Sequence, residues 1–417
     1  MAQKLKFGNG TWATKEGSTL AYNDENEKYK PLPFSFERDS IATRVNKEGL
    51  IEVVGKDIPR IDYTDSTEGA LLLEPSRSNI FDYSSDLSAW SKLNSTVTES
   101  SVLSLDGVNN SYGYERTSGP TSYIYRTVSL ANTTQYTLSF FVKSGTSTNV
   151  RTDIWDTTQS TQCEIQVDLE TKAISNFTGT SYKIEDYTNG WMRISVTFTS
   201  ESSFGTTFNR YFNADSVGSE LYIWGAQLES GNLSSYIPTN GSTFQRAAET
   251  CNESGNSEVF NSQEGVLFLD TKALSNDGTT RTIGLSDGSN SNRIHFINYA
   301  VANGYSVNYR VSNSTQVAFT EIGNVLDYQK IAFKYKSGDF SLWYNGFEID
   351  TDSNTNMMAD GVLNTLSFRQ EPNSLPFYGK TKEIGYYDEI LTDLELETLT
   401  SYRSLNEMVT ELNLNAL

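Results

Sequence analysis

The chain alternates apolar and polar residues over many short runs. In residues 136–143 apolar side chains occupy every second position, apart from Phe141, and the same period of two recurs in 191–198 and 220–228. Clusters rich in Ser, Thr, Asn and Gly, such as 144–149, separate these runs. This pattern is typical of half-buried strands joined by hairpins. Many short strands at this spacing predict β-sandwiches rather than units that alternate strands with helices.

A second block of alternating runs begins near position 265. Its clearest runs are 293–299, 330–335 and 340–344, and the last of these precedes Asn345-Gly346. Asn-Gly after an alternating aromatic run is the strongest short-range signal for a hairpin. We therefore expect a second sandwich with a tight turn at Asn345.

Composition sets the expected domain boundaries. Residues 252–257 read Asn-Glu-Ser-Gly-Asn-Ser, which is typical of a linker. The N-terminal part contains several prolines and little regular alternation, which favours extended, docked segments over a third core. The predicted fold class is all-β. We expect an irregular N-terminal anchoring segment at residues 1–79, followed by two tandem jelly-roll sandwiches at 80–251 and 258–403. A C-terminal tail at 404–417 completes the chain.

One short helix is predicted near the C-terminus. Thr392 and Glu395 have the spacing of a capping box, in which each residue satisfies a backbone amide of the other. Leu396, Leu399 and Tyr402 then repeat at intervals of three. This pattern predicts an amphipathic helix packed on the second sandwich or on a neighbouring subunit.

The charge of the chain excludes several classes of partner. Among 417 residues, 32 Lys and Arg stand against 52 Asp and Glu, so the net charge is −20. Such a field repels phosphate backbones and anionic lipid, so we expect no nucleic-acid partner. No run of about 18 apolar residues occurs, so we expect no membrane insertion. The N-terminus has no apolar run of signal-peptide length, which predicts a soluble chain that is not exported by that route.

Cysteine and histidine are too few for several kinds of site. Cys163 and Cys251 are the only thiols, and His295 is the only histidine. These counts exclude a disulfide framework, a structural zinc knot and a zinc site of three histidines. His295 is accompanied by no Gly-x-Ser-x-Gly sequence, so we interpret it as a structural residue of a strand.

Several ordered segments carry a resemblance to known proteins. The first three resemble the N-terminal segment of a group of tailed-bacteriophage structural proteins, and they are residues 36–52, 59–63 and 71–79. The next three look like the closing strand and exit of the carbohydrate-binding-module-like sandwich that follows in those proteins, and they are residues 224–229, 235–239 and 245–249. Residues 258–403 resemble a concanavalin A-like, laminin-G-type jelly roll through 331–335, 343–346 and 391–395.

The resemblance implies a bacteriophage virion protein, either a tail fibre, a tail spike or a head fibre. Its N-terminal segment would bind other virion proteins, and its lectin-like sandwiches would attach to a host cell-surface glycan. Proteins of this kind are usually symmetric, so we expect a homo-oligomer, a trimer or a dimer, located in the virion after assembly in the host cytoplasm. The alternatives are a structural spacer or capsid decoration protein without a ligand and, less favoured, a glycan depolymerase, because this fold hosts all three.

The residues themselves argue against catalysis. Glycoside hydrolysis needs paired carboxylates, which jelly-roll glycanases often supply as Glu-x-Asp-x-x-Glu on one strand. Here Glu348 and Asp350 match the first two positions, but Ser353 stands where the third acid belongs. We therefore predict that the protein is not an enzyme.

Alternating oxygen-bearing side chains could hold a structural Ca²⁺ ion. Asp350, Asp352 and Asn354 resemble the start of a calcium loop, but Gly361 stands where an EF-hand needs its bidentate glutamate. A looser lectin-like calcium site could use these residues or Asp287. The alternative is a set of turns that need no metal. Apart from this ion we expect no cofactor.

Two tryptophans are candidates for stacking on a sugar ring. Trp155 lies between Asp153 and Asp156 in the first sandwich. In the second sandwich the candidates are Trp343, Tyr344 and Asn345. An aromatic platform flanked by acids or amides suits a pyranose, but packing in a core is the common role of tryptophan. The sequence alone leaves both interpretations open.

Overall fold

The computed structural model describes residues 3–24, 28–108, 111–119, 121–158, 160–213, 215–299, 304–412 and 414. Within these residues the regular secondary structure is almost all β-strand, with only two short α-helices, which confirms the predicted all-β class. The first strands are β1 Leu5–Gly8, β2 Thr14–Lys15, β3 Ser18–Asn23, β4 Lys30–Glu37, β5 Ala42–Val45, β6 Ile51–Val54, β7 Arg60–Asp62, β8 Ala70–Leu73, β9 Arg77–Asn79, β10 Ser91–Leu93, β11 Ser95–Glu99, β12 Tyr112–Arg116, β13 Tyr123–Val128, β14 Gln135–Ser144, β15 Asn149–Asp156 and β16 Thr161–Asp168.

The remaining elements follow in chain order. The strands are β17 Ile174–Thr178, β18 Ser181–Asp186, β19 Met192–Thr199, β20 Thr207–Asn213, β21 Glu220–Ser230, β22 Phe244–Arg246, β23 Thr250–Asn252, β24 Glu264–Ala273, β25 Arg281–Ser286, β26 Arg293–Tyr299, β27 Gly304–Val311, β28 Ser314–Ile322, β29 Gln329–Lys336, β30 Phe340–Tyr344, β31 Phe347–Asp352, β32 Thr365–Ser367 and β33 Gly379–Tyr387. The α-helices are α1 Asp393–Thr400 and α2 Leu405–Glu411. Neither helix has the length or the apolar content that crossing a bilayer requires.

The chain forms two compact units, and each is discontinuous in sequence. Unit 1 comprises Met1–Asp39, Gly55–Pro75 and Ala248–Leu417, and unit 2 comprises Ser40–Val54 and Ser76–Ala247. The predicted N-terminal segment is therefore divided between the units. The predicted linker at 252–257 lies inside unit 1, where the Ser254 hydroxyl is buried and donates to the Leu32 carbonyl at 2.9 Å.

Unit 1 is a sandwich whose main sheet includes the N-terminal strands. Its longer sheet has the order β23-β4-β3-β1-β33-β24-β29-β30-β31, with β2, β7 and β8 beside this path, and its shorter sheet has the order β28-β27-β26-β25-β32. Leu5 in β1 pairs with Tyr386 in β33, so the two ends of the sequence meet in one sheet. Side chains of both sheets form one apolar core.

The prolines near the N-terminus lie within a regular strand, which corrects the expectation of an irregular segment. In β4 the side chains of Leu32, Phe34 and Phe36 are buried, whereas Pro31 and Pro33 point outward between them. This alternation fits a strand because proline is tolerated where its missing amide is not needed. The apolar period of two therefore outweighs the proline content.

A buried ion network links the three sequence segments of unit 1. Arg38 donates to Oε1 of Glu249 at 2.8 Å, and Arg60 donates to the same oxygen at 2.8 Å and to Glu74 at 2.8 Å. All four side chains are at most 3% exposed. Each comes from one of the segments that carry the phage resemblance, so those segments share a structural role.

Unit 2 is a second sandwich of two six-stranded sheets. Their orders are β10-β13-β20-β15-β16-β17 and β11-β12-β21-β14-β19-β18. The facing sides of the sheets supply a core that includes Leu138, Ile154 and Ile165. A smaller apolar cluster with Phe141 and Trp224 covers the other side of the second sheet. The outer side of the second sheet is therefore covered by an apolar cluster, and this cluster includes no described residue from the strands of the first sheet.

The local signals at the C-terminus are confirmed. Thr392 is the N-cap of α1, and the Glu395 side chain completes the capping box. Asn345 and Gly346 form the turn between β30 and β31, both with positive φ values, of 48° and 88°. These values match a type I′ hairpin, which asparagine and glycine tolerate best.

Candidate functional site

Trp155 lies on the outer side of the first sheet of unit 2. Along β15 the side chains of Val150 and Ile154 point into the core, whereas those of Arg151, Asp153 and Trp155 point outward. Trp155 is half-buried, so part of its ring is accessible. The strand period that buries Ile154 therefore presents the tryptophan to solvent.

Four more aromatic rings share this side of the sheet with Trp155. The centroid of Phe208 lies 6.2 Å from that of Trp155 and 5.9 Å from that of Tyr125. The centroid of Tyr123 lies 5.3 Å from that of Phe212. All five rings are half-buried and lie on the neighbouring strands β13, β20 and β15. We call these five residues the aromatic face.

Arg210 lies at the centre of the aromatic face. Its guanidinium carbon is 4.7 Å from the ring centroid of Trp155, 5.4 Å from that of Tyr123 and 5.2 Å from that of Phe212. Its Nε and Nη2 both donate to Asp153 at 2.8 Å. Cation–π contacts and a bidentate carboxylate pair therefore fix the guanidinium between the rings.

The charges beside the rings are balanced. Arg151 donates to Glu164 at 2.7 Å and to Asp153 at 3.1 Å, so two arginines meet two carboxylates. Burial raises the pKa of Asp153 above its usual value, although the hydrogen bonds from Arg210 oppose this shift. Asp153 thus holds the arginines in position from beneath and is itself inaccessible.

An amide pair adjoins the charged residues on the next strands. Asn176 in β17 lies opposite Gln166 in β16, and its Nδ2 donates to Gln166 Oε1 at 3.3 Å. Since β15, β16 and β17 are consecutive, this side of the sheet changes from aromatic to charged to amide. Such a surface can stack on an apolar ring face and donate hydrogen bonds to hydroxyl groups.

The sequence identified Trp155 and Asp153 but missed most of their neighbours. The residues that it missed are Tyr123, Tyr125, Arg151, Glu164, Phe208, Arg210 and Phe212. A signal was present, because 207–213 reads Thr-Phe-Asn-Arg-Tyr-Phe-Asn, with aromatic or arginine side chains at every second position. Only the strand order shows that this run lies beside β15.

Asp156 does not belong to the aromatic face. Its side chain is buried on the opposite side of β15 from Trp155. Its carboxylate accepts hydrogen bonds from the Thr158 amide at 2.7 Å and from Gln162 Nε2 at 3.0 Å. The alternation of the strand therefore separates the two aspartates that flank Trp155, and Asp156 stabilises a turn.

The candidates in unit 1 have structural contacts of their own. Trp343 is 6% exposed and packs with Phe268 and Leu396 beneath α1. Tyr344 is half-buried, with its ring centroid 6.1 Å from that of Tyr305. Asn345 accepts a hydrogen bond at 3.0 Å from the amide of Lys330 in the neighbouring strand β29. These three residues do not form an exposed platform, because α1 covers the tryptophan.

Of the calcium candidates, Asp287 lies in a bend after β25, whereas Asp350 and Asp352 lie at the end of strand β31. Asp287 accepts hydrogen bonds from the Ser289 amide at 2.9 Å and from Asn292 at 2.8 Å. Asp350 accepts from the Thr351 amide, and Asp352 accepts from the Asn354 amide. Within the part of the chain that the structure describes, no group of three or more acidic, His or Cys side chains is arranged for a metal ion. A calcium site stays a prediction.

His295 and the two cysteines are buried. Burial, together with Arg293 and Arg310, lowers the pKa of His295 to about 3, so its ring is neutral. Burial raises the pKa of Cys163 and Cys251. A buried neutral imidazole and two buried thiols have no access to a substrate in solution.

Comparison with known proteins does not assign a family. No protein-family model matches the chain, and no curated protein matches it. A sialidase carbohydrate-binding module, CBM40, from Ruminococcus gnavus bound to α2,6-sialyllactose is 18% identical with a TM-score of 0.31, over 36% of this chain and 94% of that chain. Domain 4 of an extracellular arabinanase from Geobacillus stearothermophilus, bound to arabinotriose, is 15% identical with a TM-score of 0.31, over 41% and 82%.

A third solved structure is similar to a larger part of the chain. Domains LG4-5 of the mouse laminin alpha1 chain are 8% identical with a TM-score of 0.25, over 68% of this chain and 89% of that chain. TM-scores this low establish neither family nor function. The strands, sheets and cores described above define the class, an all-β protein of two sandwiches.

Proposed function

We propose that this protein binds glycans without cleaving them, through the aromatic face of unit 2. The observation that carries the proposal is the set of five half-buried rings, three of which contact Arg210. Core packing explains the buried aromatic residues of unit 2, but it does not explain rings on the outer side of a sheet. Stacked rings with a fixed guanidinium between them suit the apolar faces and hydroxyl groups of a sugar.

The balanced charges favour a neutral glycan. Each arginine of the site is paired with a carboxylate, and the whole chain carries a charge of −20. Binding would therefore depend on short-range stacking and hydrogen bonds. We expect the affinity to change by less than about threefold between about 0.05 and 0.5 M salt, because screening acts on unpaired charges. Affinity electrophoresis in polysaccharide gels at several salt concentrations would measure this, and a loss of more than tenfold would contradict it.

Replacing Trp155 by alanine is the direct test. We expect Trp155→Ala to weaken glycan binding by about 30-fold or more, since a central aromatic residue contributes about 2 kcal/mol or more to a binding site. A glycan array of the full chain would first identify the ligand, and calorimetric titration would give the affinities. Tyr182 is a matched control because it is 50% exposed and lies on β18 in the other sheet.

The outcomes separate the alternatives. Equal binding by wild type and Trp155→Ala would move the site away from the aromatic face. Absence of binding to any glycan or host cell would favour the structural spacer. Cleavage of a bound polysaccharide, detected by mass spectrometry, would contradict the non-enzymatic assignment and favour a depolymerase.

We further propose that the protein acts in a bacteriophage virion as a homo-oligomer that attaches to a host surface. This proposal rests on the sequence resemblance of residues 36–79 and 224–249. Immunogold labelling of intact particles would test the location, and light scattering would test for a trimer or a dimer. A monomer that labels no particle would contradict both parts.

A further inference from the structure

Charged contacts attach helix α2 to unit 1. None of its seven residues is buried, and Leu405 is 68% exposed. Its Glu407 pairs with Lys330 at 2.8 Å, and its Glu411 pairs with Lys382 at 2.7 Å. These four side chains are 8–11% exposed. The position of α2 therefore depends on charge more than on apolar packing.

A carboxyl group without a partner lies beside these ion pairs. Asp270 in β24 is 6% exposed, and its buried Oδ1 has no hydrogen-bond partner among the described residues. The buried Oε2 of Glu411 likewise has none among them. Burial, followed by repulsion from Glu411, raises the pKa of Asp270 to about 7. When ionised, Asp270 would be a buried charge facing a second carboxylate, which is strongly unfavourable.

The surroundings of Asp270 contain more acid than base. Its charged neighbours on the sheet are Lys330, Lys382 and Glu383. Together with the two glutamates of α2 and with Arg403, which pairs with Glu407, three basic side chains thus face four carboxyl groups. Burial also raises the pKa of Glu383, to about 6. One more proton in this cluster would relieve the excess of negative charge.

The other titratable groups nearby keep their charge state near neutral pH. Burial raises the pKa of the phenols of Tyr305, Tyr328 and Tyr402, so they remain neutral. On the same sheet Lys272 pairs with Asp65, and Lys380 pairs with Asp62 and Asp65. Asp270 and Glu383 are therefore two acids of this cluster whose pKa burial raises into the range between pH 5 and 8.

We propose that α2 is a proton-controlled latch, which closes over β24 and β33 when the Asp270 carboxyl is protonated and opens when that carboxyl is ionised. Opening separates Glu411 from Asp270 and lets water reach both carboxylates. It also uncovers Lys330 and Lys382, whose partners leave with the helix. This device is independent of the aromatic face, which belongs to unit 2.

The direction of the pH dependence follows from proton binding. The closed state raises the pKa of Asp270 from 3.8, so the closed state holds one proton more than the open state between these values. Closure is strongest near pH 5, where Asp270 is protonated and Glu407 is ionised, and it weakens by up to about tenfold per pH unit as pH rises toward 7. Against the effect of burial, hydrogen bonds from Lys330 and Arg403 lower the pKa of Glu407 to about 2, so its ion pair stays intact above pH 5.

Hydrogen exchange of the full chain between pH 5 and 8 tests the latch. After correction for intrinsic exchange, we expect the opening equilibrium of the amides of residues 405–411 to rise by up to about tenfold per pH unit between 5 and 7. The amides of β27, in the other sheet of unit 1, serve as the internal reference. Asp270→Asn keeps the shape but removes the titration of Asp270, so its opening should depend on pH less steeply than that of wild type, with Glu383 still able to titrate. Asp360→Asn removes an exposed aspartate and should behave like wild type.

Three results would overturn the latch. The first is opening of α2 that does not change with pH in wild type. The second is the same pH dependence in Asp270→Asn. The third is an equal pH dependence in β27, which would indicate a change in the stability of the whole unit. If Asp270→Asn did not fold, the comparison of α2 with β27 in wild type would still decide the matter.

Discussion

Replacing Glu249 by alanine should lower the free energy of unfolding of unit 1 by about 3–5 kcal/mol, because removing one partner of a buried ion network leaves uncompensated charge. Glu249 accepts hydrogen bonds from both Arg38 and Arg60, and all three side chains are fully buried. After the substitution Arg60 retains Glu74, whereas the ion pair between Arg38 and Glu249 is lost. Calorimetry of the full chain, with hydrogen exchange to assign the transitions to each unit, would measure the loss.

An exposed ion pair of the same unit supplies the control. Asp39 pairs with Lys56, and their side chains are 84% and 59% exposed. Solvent screens such a pair, so Asp39→Ala should leave the transition of unit 1 nearly unchanged. A small effect of Glu249→Ala, equal to that of Asp39→Ala, would show that the network does not stabilise the unit.

The ion network also explains why the phage-like segments contain charged residues. Arg38, Arg60, Glu74 and Glu249 are distant in sequence, yet they meet at one buried point. The charges of these four residues are therefore explained by the fold of unit 1, whether or not the protein is part of a virus particle. The virion role remains a proposal that rests on the resemblance.

Features set by neighbouring residues could be predicted from the sequence. The turn at Asn345 needs only two residues with positive φ, and the start of α1 needs only Thr392 and Glu395. The period of two located β14, β19 and β21 within one or two residues. The same period predicted that the polar residues of β14 are exposed, but Thr137 and Ser139 are buried as well. A central strand is covered on both sides, and one strand alone cannot show this.

Features set by distant residues could not be predicted. The division into units depends on β1 pairing with β33 and on β4 pairing with β23. Neither pairing leaves a local pattern, and the polar composition of 252–257 indicated a linker although Asn252 and Ser254 are buried. The aromatic face is a similar case, since β13, β20 and β15 are neighbours in the sheet but not in sequence.

The two tryptophans that the sequence could not distinguish should respond in opposite ways to replacement by alanine. Trp343 is 6% exposed, contacts the apolar cluster beneath α1 and donates from Nε1 to Ser341 at 3.1 Å. Trp343→Ala should therefore lower the free energy of unfolding of unit 1 by about 3–5 kcal/mol, as removal of a core tryptophan usually does. We expect glycan binding at unit 2 to be unchanged at temperatures below the transition.

Trp155→Ala should show the reverse. Its ring is half-buried, and the contacts that it loses are with Arg210 and Phe208. The free energy of unfolding should therefore change by about 1 kcal/mol, while glycan binding weakens by about 30-fold or more. Calorimetry and calorimetric titration on both variants would give the four values. If Trp343→Ala abolished binding without lowering stability, the sugar site would lie in unit 1 and the aromatic face would lose its assignment. Because Trp343 is buried and Trp155 lies half-buried on the outer side of a sheet, we expect Trp343→Ala to lower stability and Trp155→Ala to weaken binding.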